Sequence, residues 1–287
     1  MPESPETAEA PETPETPATP RAIELEIEVP GTPEEVWRAI ATGPGISSWY
    51  VPHDVEERPG GAASASFGPG PEMQVHGRVA AWEPPHRVVF DGGEGVPGLA
   101  FEWLVEARDG GTCVVRLVNS GFGEGGEWDD QYDDMQEGWR LFMFNLRLHL
   151  QHFAGRTATP ALPVAYWPTD ADAGWRIVAD RLRLPDDPHA GDRVTLDPGD
   201  GLHLAGEVVD AGPRRLALLI DEPAPGTAFV AAEGRRPTAL SVWAYLYGDR
   251  RDELAAEFTT TWQRWLDAHA PAPTGETVTS SVAPTTA

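Results

Sequence analysis

Between Gly111 and Phe153 a strand-like segment, TCVVRLVN, passes through SGFGEGG into a long helix, and no other stretch restricts the possible folds so strongly. Met135, Trp139, Phe142, Leu146, Leu150 and Phe153 follow one another at steps of four, three, four, four and three, the repeat of one helical face. A face of that length has to be covered. The segments upstream are short and alternate apolar with polar residues, so the cover they offer is an antiparallel sheet curved over the helix, an arrangement that leaves room for a cavity. A second row, Leu141, Phe144 and Leu148, runs beside the first and leaves only Arg140, Arg147 and Gln151 as a polar edge. Left wet, that row would be an apolar patch of the kind soluble proteins cover. The expected cover is the C-terminal half of the chain, through Trp243, Tyr245 and Tyr247 on one face of its last strand; a homodimer contact is the competing expectation.

The upstream segments read clearly. In IELEIEV, Ile23, Leu25, Ile27 and Val29 alternate with Glu24, Glu26 and Glu28, a strand with one buried and one wet face. Thr32 then caps a helix with Pro33 at its first position and Glu34 and Glu35 in its first turn, all favourable at the positive end of the helix dipole. A short second helix ends at Trp49 and Tyr50, and strands follow around Ala63–Phe67, Glu72–Trp82, His86–Asp91, Leu99–Ala107 and from Thr112. The fold class is α+β, with a curved antiparallel sheet wrapped around a long C-terminal helix.

The second half repeats the order of elements. WRIVAD from Trp175 echoes WRAIAT from Trp37, and GEVVDAGPRRLALLID from Gly206 echoes GRVAAWEPPHRVVFD from Gly77. A hairpin and a terminal helix with Leu254, Phe258, Trp262, Trp265 and Leu266 on one side complete it. The expected organisation is a Pro/Glu/Thr-rich disordered tail over 1–21, a first domain over 22–156, a second and degenerate copy over 160–270, and a disordered tail over 271–287.

Composition removes several classes of function. The 46 acidic against 21 basic residues give a net charge of −25, which repels nucleic acid and anionic lipid. Every basic residue is Arg, so a Schiff-base lysine and a P-loop lysine are excluded. The single cysteine, Cys113, lies in an alternating strand and reads as a small buried residue. The first twenty residues carry no basic n-region and no apolar run, no segment approaches the length of a membrane span, and the expected compartment is the cytoplasm.

Strand alternation shows what the cavity offers. Ala63, Ala65 and Phe67, then Met73, Val75 and Val79, Phe101, Trp103 and Val105, and Cys113, Val115 and Leu117 share the inner register. These rows contain no Asp, Glu or His, and only Asn119 continues them with a polar group. With the helix residues, the expected cavity lining is Trp49, Tyr50, Phe67, Met73, Val75, Phe101, Trp103, Val115, Leu117, Asn119, Trp139, Phe142 and Leu146. Trp82 joins the mouth only if a bulge turns it inward.

Catalytic signals are weak. His76 and Glu102 fall on the wet face. His149 and His152 stand three apart without a third ligand and read as surface histidines. The acidic run from Glu127 to Glu137 favours a helix N-terminus, GEGG at 123–126 reads as a connection, and Ser120 lacks an evident base. No catalytic residue, metal or cofactor is expected.

TPEEVWRAIATGPGISSWY, GRVAAWEPPHRVVF, GTCVVRLVNSGF and MQEGWRLFMFNLRLHL together resemble the activator-of-Hsp90-ATPase-like (AHSA1-like) branch of the START/Bet v 1 or SRPBCC superfamily. The resemblance covers about residues 23–155 through Trp37, Trp49, Gly77, Thr112, Gly121, Phe122, Gly138 and Trp139, and it implies a helix-grip fold around an apolar cavity. The second half lacks the SGF and GW elements. The resulting expectation is a non-catalytic protein that holds a hydrophobic small molecule or a protein client. A polyketide cyclase-like enzyme and an Hsp90 co-chaperone are the alternatives.

Overall fold

The computed structural model describes residues 21–68, 70–93, 96–122 and 129–272. The two tails, apart from residues 21, 271 and 272, lie outside the described residues, as do GEGG and the side chains of the acidic run up to Asp134.

The first half begins with β1 (Arg21–Pro30), whose three glutamates face water. It continues through α1 (Pro33–Ala41) and α2 (Gly43–Ser47). Thr32 and Glu35 form a reciprocal capping box at the start of α1. Six strands follow: β2 (His53–Val55), β3 (Ala62–Ser66), β4 (Gln74–Glu83), β5 (Arg87–Gly92), β6 (Val96–Arg108) and β7 (Thr112–Phe122), and then α3 (Asp129–Phe153). They form one antiparallel sheet in the order β1-β7-β6-β5-β4-β3-β2. Its first strand is therefore paired with its last, and the sheet closes over α1 and α3.

The second half consists of β8 (Thr159–Ala161), β9 (Val164–Trp167), α4 (Ala171–Leu182), β10 (Arg193–Leu196), β11 (Leu204–Gly212), β12 (Arg215–Glu222), β13 (Gly226–Glu233), β14 (Thr238–Leu246) and α5 (Arg251–His269). Its sheet runs β10-β11-β12-β13-β14-β8, with β9 also on β14. The opening strand, here broken into two pieces, again pairs with the last strand, and the rest meanders back with one strand fewer. The sequence echo has a physical basis. A Cβ on Gly77 would stand 2.2 Å from the Asp91 carbonyl oxygen, and one on Gly206 would stand 2.3 Å from that of Leu219, so only glycine fits either strand. In both cases the pairing register shifts between the second and fourth residues beyond the glycine, at Val79/Ala81 and at Val208/Asp210.

The layers stack as sheet, α3, sheet, α5. Trp139, Met143, Leu146 and Leu150 of α3 pack into the first sheet with α1. Leu141, Phe144 and Leu148 pack on the second sheet against Phe229, Trp243, Tyr245 and Tyr247. The other face of the second sheet packs on Phe258, Trp262 and Trp265 of α5. Covered on both sides, β13 has seven of its eight residues buried, whereas the first sheet keeps one wet face, as the exposed Gln74, His76 and Arg78 of β4 show. No helix among the described residues is long and apolar enough to cross a membrane.

Candidate functional site: an apolar cavity in the first half

The sheet and α3 separate toward the N-terminal end of the helix and leave a cavity of about 350 Å³. Ile40 of α1 and Ile46 of α2 close one side, Phe90, Phe101 and Trp103 form the sheet wall, and Met135, Gly138, Trp139 and Phe142 of α3 form the other. Ala65, Phe67 and Val75 complete the lining; Phe67 and Val75 are about two-fifths exposed and mark the rim. Tyr50 is the hub of the aromatic cluster, with ring centroids 4.9 Å from Trp139 and 4.4 Å from Phe142. Trp103 makes edge contacts with Trp49 and Trp139. The volume and the aromatic lining suit a small organic molecule.

Gly138 gives this space its shape. It lies within α3, where glycine is less favourable than alanine by about 1 kcal/mol. A Cβ there would meet nothing within 4 Å. Packing does not demand the glycine, and any larger residue would project into the cavity.

Of the residues expected to line the cavity, the structure places eight there: Trp49, Tyr50, Phe67, Val75, Phe101, Trp103, Trp139 and Phe142. Val115, Leu117 and Leu146 do not line it. All three are fully buried where helix and sheet close on each other, so they form solid core below the cavity. Met73 is also outside, in a 3₁₀ turn before β4 that ends its strand register. Asn119 is buried behind Met135, with Nδ2 3.2 Å from the Met135 Sδ. Trp82 does follow a bulge, but its ring packs edge-on against Trp37 at 4.9 Å rather than at the mouth.

The inner surface also carries a titratable group that the alternating rows do not contain. His53, on β2, lines the cavity beside Tyr50. Its Nδ1 is 2.8 Å from the Val51 carbonyl oxygen, and burial lowers its pKa to about 4 against the smaller opposing effect of that hydrogen bond. Burial also pushes the Tyr50 hydroxyl well up, so both groups are neutral at pH 7. His53 escapes periodicity because β2 has only three residues and follows a proline.

The remaining candidates separate. His76 is exposed, and Glu102 pairs with Arg87. His149 is not a surface residue. It is 3% exposed, with Nδ1 2.7 Å from the Tyr247 hydroxyl oxygen, while His152 faces water. That hydroxyl also donates to the Ser48 carbonyl at 3.2 Å. One turn away, Asn145 donates to the Trp49 carbonyl at 2.9 Å and accepts from the Thr227 hydroxyl at 2.7 Å. The segment leading into the cavity wall is thus tied to the second half through α3. Among the described residues no three His, Cys, Asp or Glu side chains are grouped to hold a metal. A larger groove between the halves, about 760 Å³, is open and lined by Arg140, Arg147 and Arg215 together with Glu26, Glu137 and Asp210, so it presents no single charge to a ligand.

Residues 30–151 match the family model for Activator of Hsp90 ATPase homolog 1-like protein. A search of the curated proteins gives no match. Among solved structures, the chain is similar to Bacillus halodurans protein BH1534, at 21% identity over 45% of this chain and 96% of that one, with a TM-score of 0.41. DynU16, from the dynemicin biosynthetic locus, is 18% identical over 87% of this chain and 97% of its own, with a TM-score of 0.39. The di-domain ARO/CYC BexL from the BE-7585A biosynthetic pathway is 17% identical over 88% and 99%, with a TM-score of 0.39.

Proposed function

We propose, from a first half whose residues 30–151 match the family model for Activator of Hsp90 ATPase homolog 1-like protein, that this chain is a binding protein for a small, largely apolar molecule held between the sheet and α3. The observation that carries the reading is the cavity of about 350 Å³ whose α3 wall includes a glycine with open space where its side chain would be. Burying the rings of a ligand against this lining is favourable by about 25 cal/mol per Å² of apolar surface removed from water. The second half supports the site by holding Ser48, Trp49 and Phe142 in place. Trp243 stacks on Phe142 with ring planes 14° apart.

The test is a titration of N-phenyl-1-naphthylamine, followed by its own fluorescence and by quenching of tryptophan emission, to which Trp49, Trp103 and Trp139 of the lining contribute. Wild type is expected to bind with 1:1 stoichiometry. Gly138→Leu, which fills the cavity with a good helix former, is expected to fold and to lose binding. Unchanged binding in the Gly138→Leu protein would place the probe elsewhere and reject the reading. A cyclase-like reading draws on His53, the one basic group in the lining; steady consumption of a bound polyketide-type chain that stops in a His53→Phe protein would favour it over binding alone.

A further inference from the structure

Among the side chains of the cavity, His53 is held in the most definite chemical state. A carbonyl oxygen can only accept, so the 2.8 Å contact between Nδ1 and the Val51 oxygen puts the ring proton on Nδ1 and the lone pair on Nε2. The backbone beneath the ring is fixed as well. The His53 N–H donates to Ser47 Oγ at 2.9 Å, Ser47 Oγ donates to the Gly43 carbonyl at 2.7 Å, and β2 pairs His53 with Ala65 of β3, itself a lining residue. Position, tautomer and orientation are therefore set before any ligand arrives.

The other polar atoms of the lining have a different character. The Trp49 indole N–H already donates to the Ala39 carbonyl at 2.8 Å, and the indoles of Trp103 and Trp139 can only donate. The Tyr50 hydroxyl both donates and accepts, and imidazole Nε2, the more basic of the two, is thus the strongest acceptor among the lining side chains. Such an acceptor favours a ligand that brings a donor and disfavours one that leaves it unpaired or presents a carboxylate to its lone pair.

We propose that His53 is the specificity-determining residue of this cavity, and that the ligand is an apolar ring system carrying one neutral hydrogen-bond donor, a phenolic or enolic hydroxyl, directed at His53 Nε2. This rests on the binding reading above. It adds polarity and orientation to that reading: the donor-bearing edge lies against β2, and the rest of the molecule lies against Trp103 and Trp139.

The experiment compares naphthalene with 2-naphthol, matched in shape and differing by one hydroxyl, by calorimetric titration of the full chain. Wild type is expected to bind 2-naphthol about tenfold more tightly, the size of one well-formed hydrogen bond. In His53→Phe the preference for 2-naphthol over naphthalene is expected to vanish. In His53→Gln, whose amide oxygen reaches the position of Nε2, part of the preference is expected to return. On wild type, the His53 Nε2 nitrogen resonance is expected to shift with 2-naphthol and to stay with naphthalene. Equal affinity for the two probes, or a preference that survives His53→Phe, would overturn the role of His53 and leave the cavity reading standing. If neither probe binds, both fail together.

Discussion

The two halves of this chain have one strand order and opposite interiors. In the first, the space between sheet and closing helix is partly empty and bounded by a helix glycine with no neighbour. In the second, Trp167, Phe258 and Trp262 are fully buried between sheet and α5, and the indoles of Trp167 and Trp262 donate to the Leu266 and Leu202 carbonyls. The helix glycine there, Gly174, is closed in, with Thr238 and Leu240 methyl groups 3.1 and 3.2 Å from where its Cβ would be. The outer sheet faces differ in the same sense. The first half keeps its outer face in water, while the second gives its outer face to α3. Strand order alone does not decide whether such a unit keeps a cavity. That is decided by the volume of a few side chains along the closing helix, and the half that gives up a cavity gains a second surface with which to brace its neighbour.

The strongest way to break this comparison is to separate the halves. Residues 21–158 expressed alone are expected to aggregate or to bind hydrophobic dyes, because Leu141, Phe144 and Leu148 lose their cover, and Leu141→Glu with Phe144→Glu is expected to restore solubility. A soluble monomer without those changes, as stable as the full chain and without dye binding, would show that the second sheet is not needed. Next in size is a pair of truncations read by urea unfolding. Trp262→Ala empties a closed core and is expected to lose about 4 kcal/mol, while Phe101→Ala, on the wall of an existing space, is expected to lose about half as much. Equal losses would mean that the cavity is not open in solution.

Acid sharpens the contrast. His149 in the joint between the halves is held neutral by burial, its pKa lowered to about 4 from 6.5. The unfolded chain takes up a proton near pH 6.5 that the folded chain refuses, so the stability this group contributes is complete above pH 6.5 and falls as pH drops toward 4. Between pH 6.5 and 5 the loss from His149 is expected to be about 2 kcal/mol, and a His149→Gln protein is expected to lack that part of the slope. His53 adds in the same direction, and 2-naphthol bound at Nε2 is expected to enlarge its share alone. The smallest effect is the most direct: Gly138→Ala is expected to stabilise the protein by about 1 kcal/mol by helix propensity, and Gly174→Ala to gain less, because its methyl would press on those of Thr238 and Leu240.

Much of this was legible in the residues. The alternation in IELEIEV gave the wet and dry faces of β1, Thr32 and Glu35 the start of α1, and the doubled apolar rows of α3 the need for cover on two sides. What periodicity does not encode is depth along the helix. Met135, Trp139, Phe142 and Leu146 share one face, yet the first three border the cavity while Leu146 lies in closed core, a difference set by side-chain volumes summed across several strands. Short elements and distant partners were also hidden. His53 lies on a strand too short to show a period, and the partner of His149 is 98 residues away.

Asn145 joins the Trp49 carbonyl of one half to the Thr227 hydroxyl of the other, and α3 on either side of it supplies apolar surface to two interiors. Neither half can melt without stripping its companion of a wall. On heating, the chain should therefore absorb its enthalpy in one calorimetric peak, with van't Hoff and calorimetric enthalpies in agreement, and act as a single cooperative unit despite its two sheets.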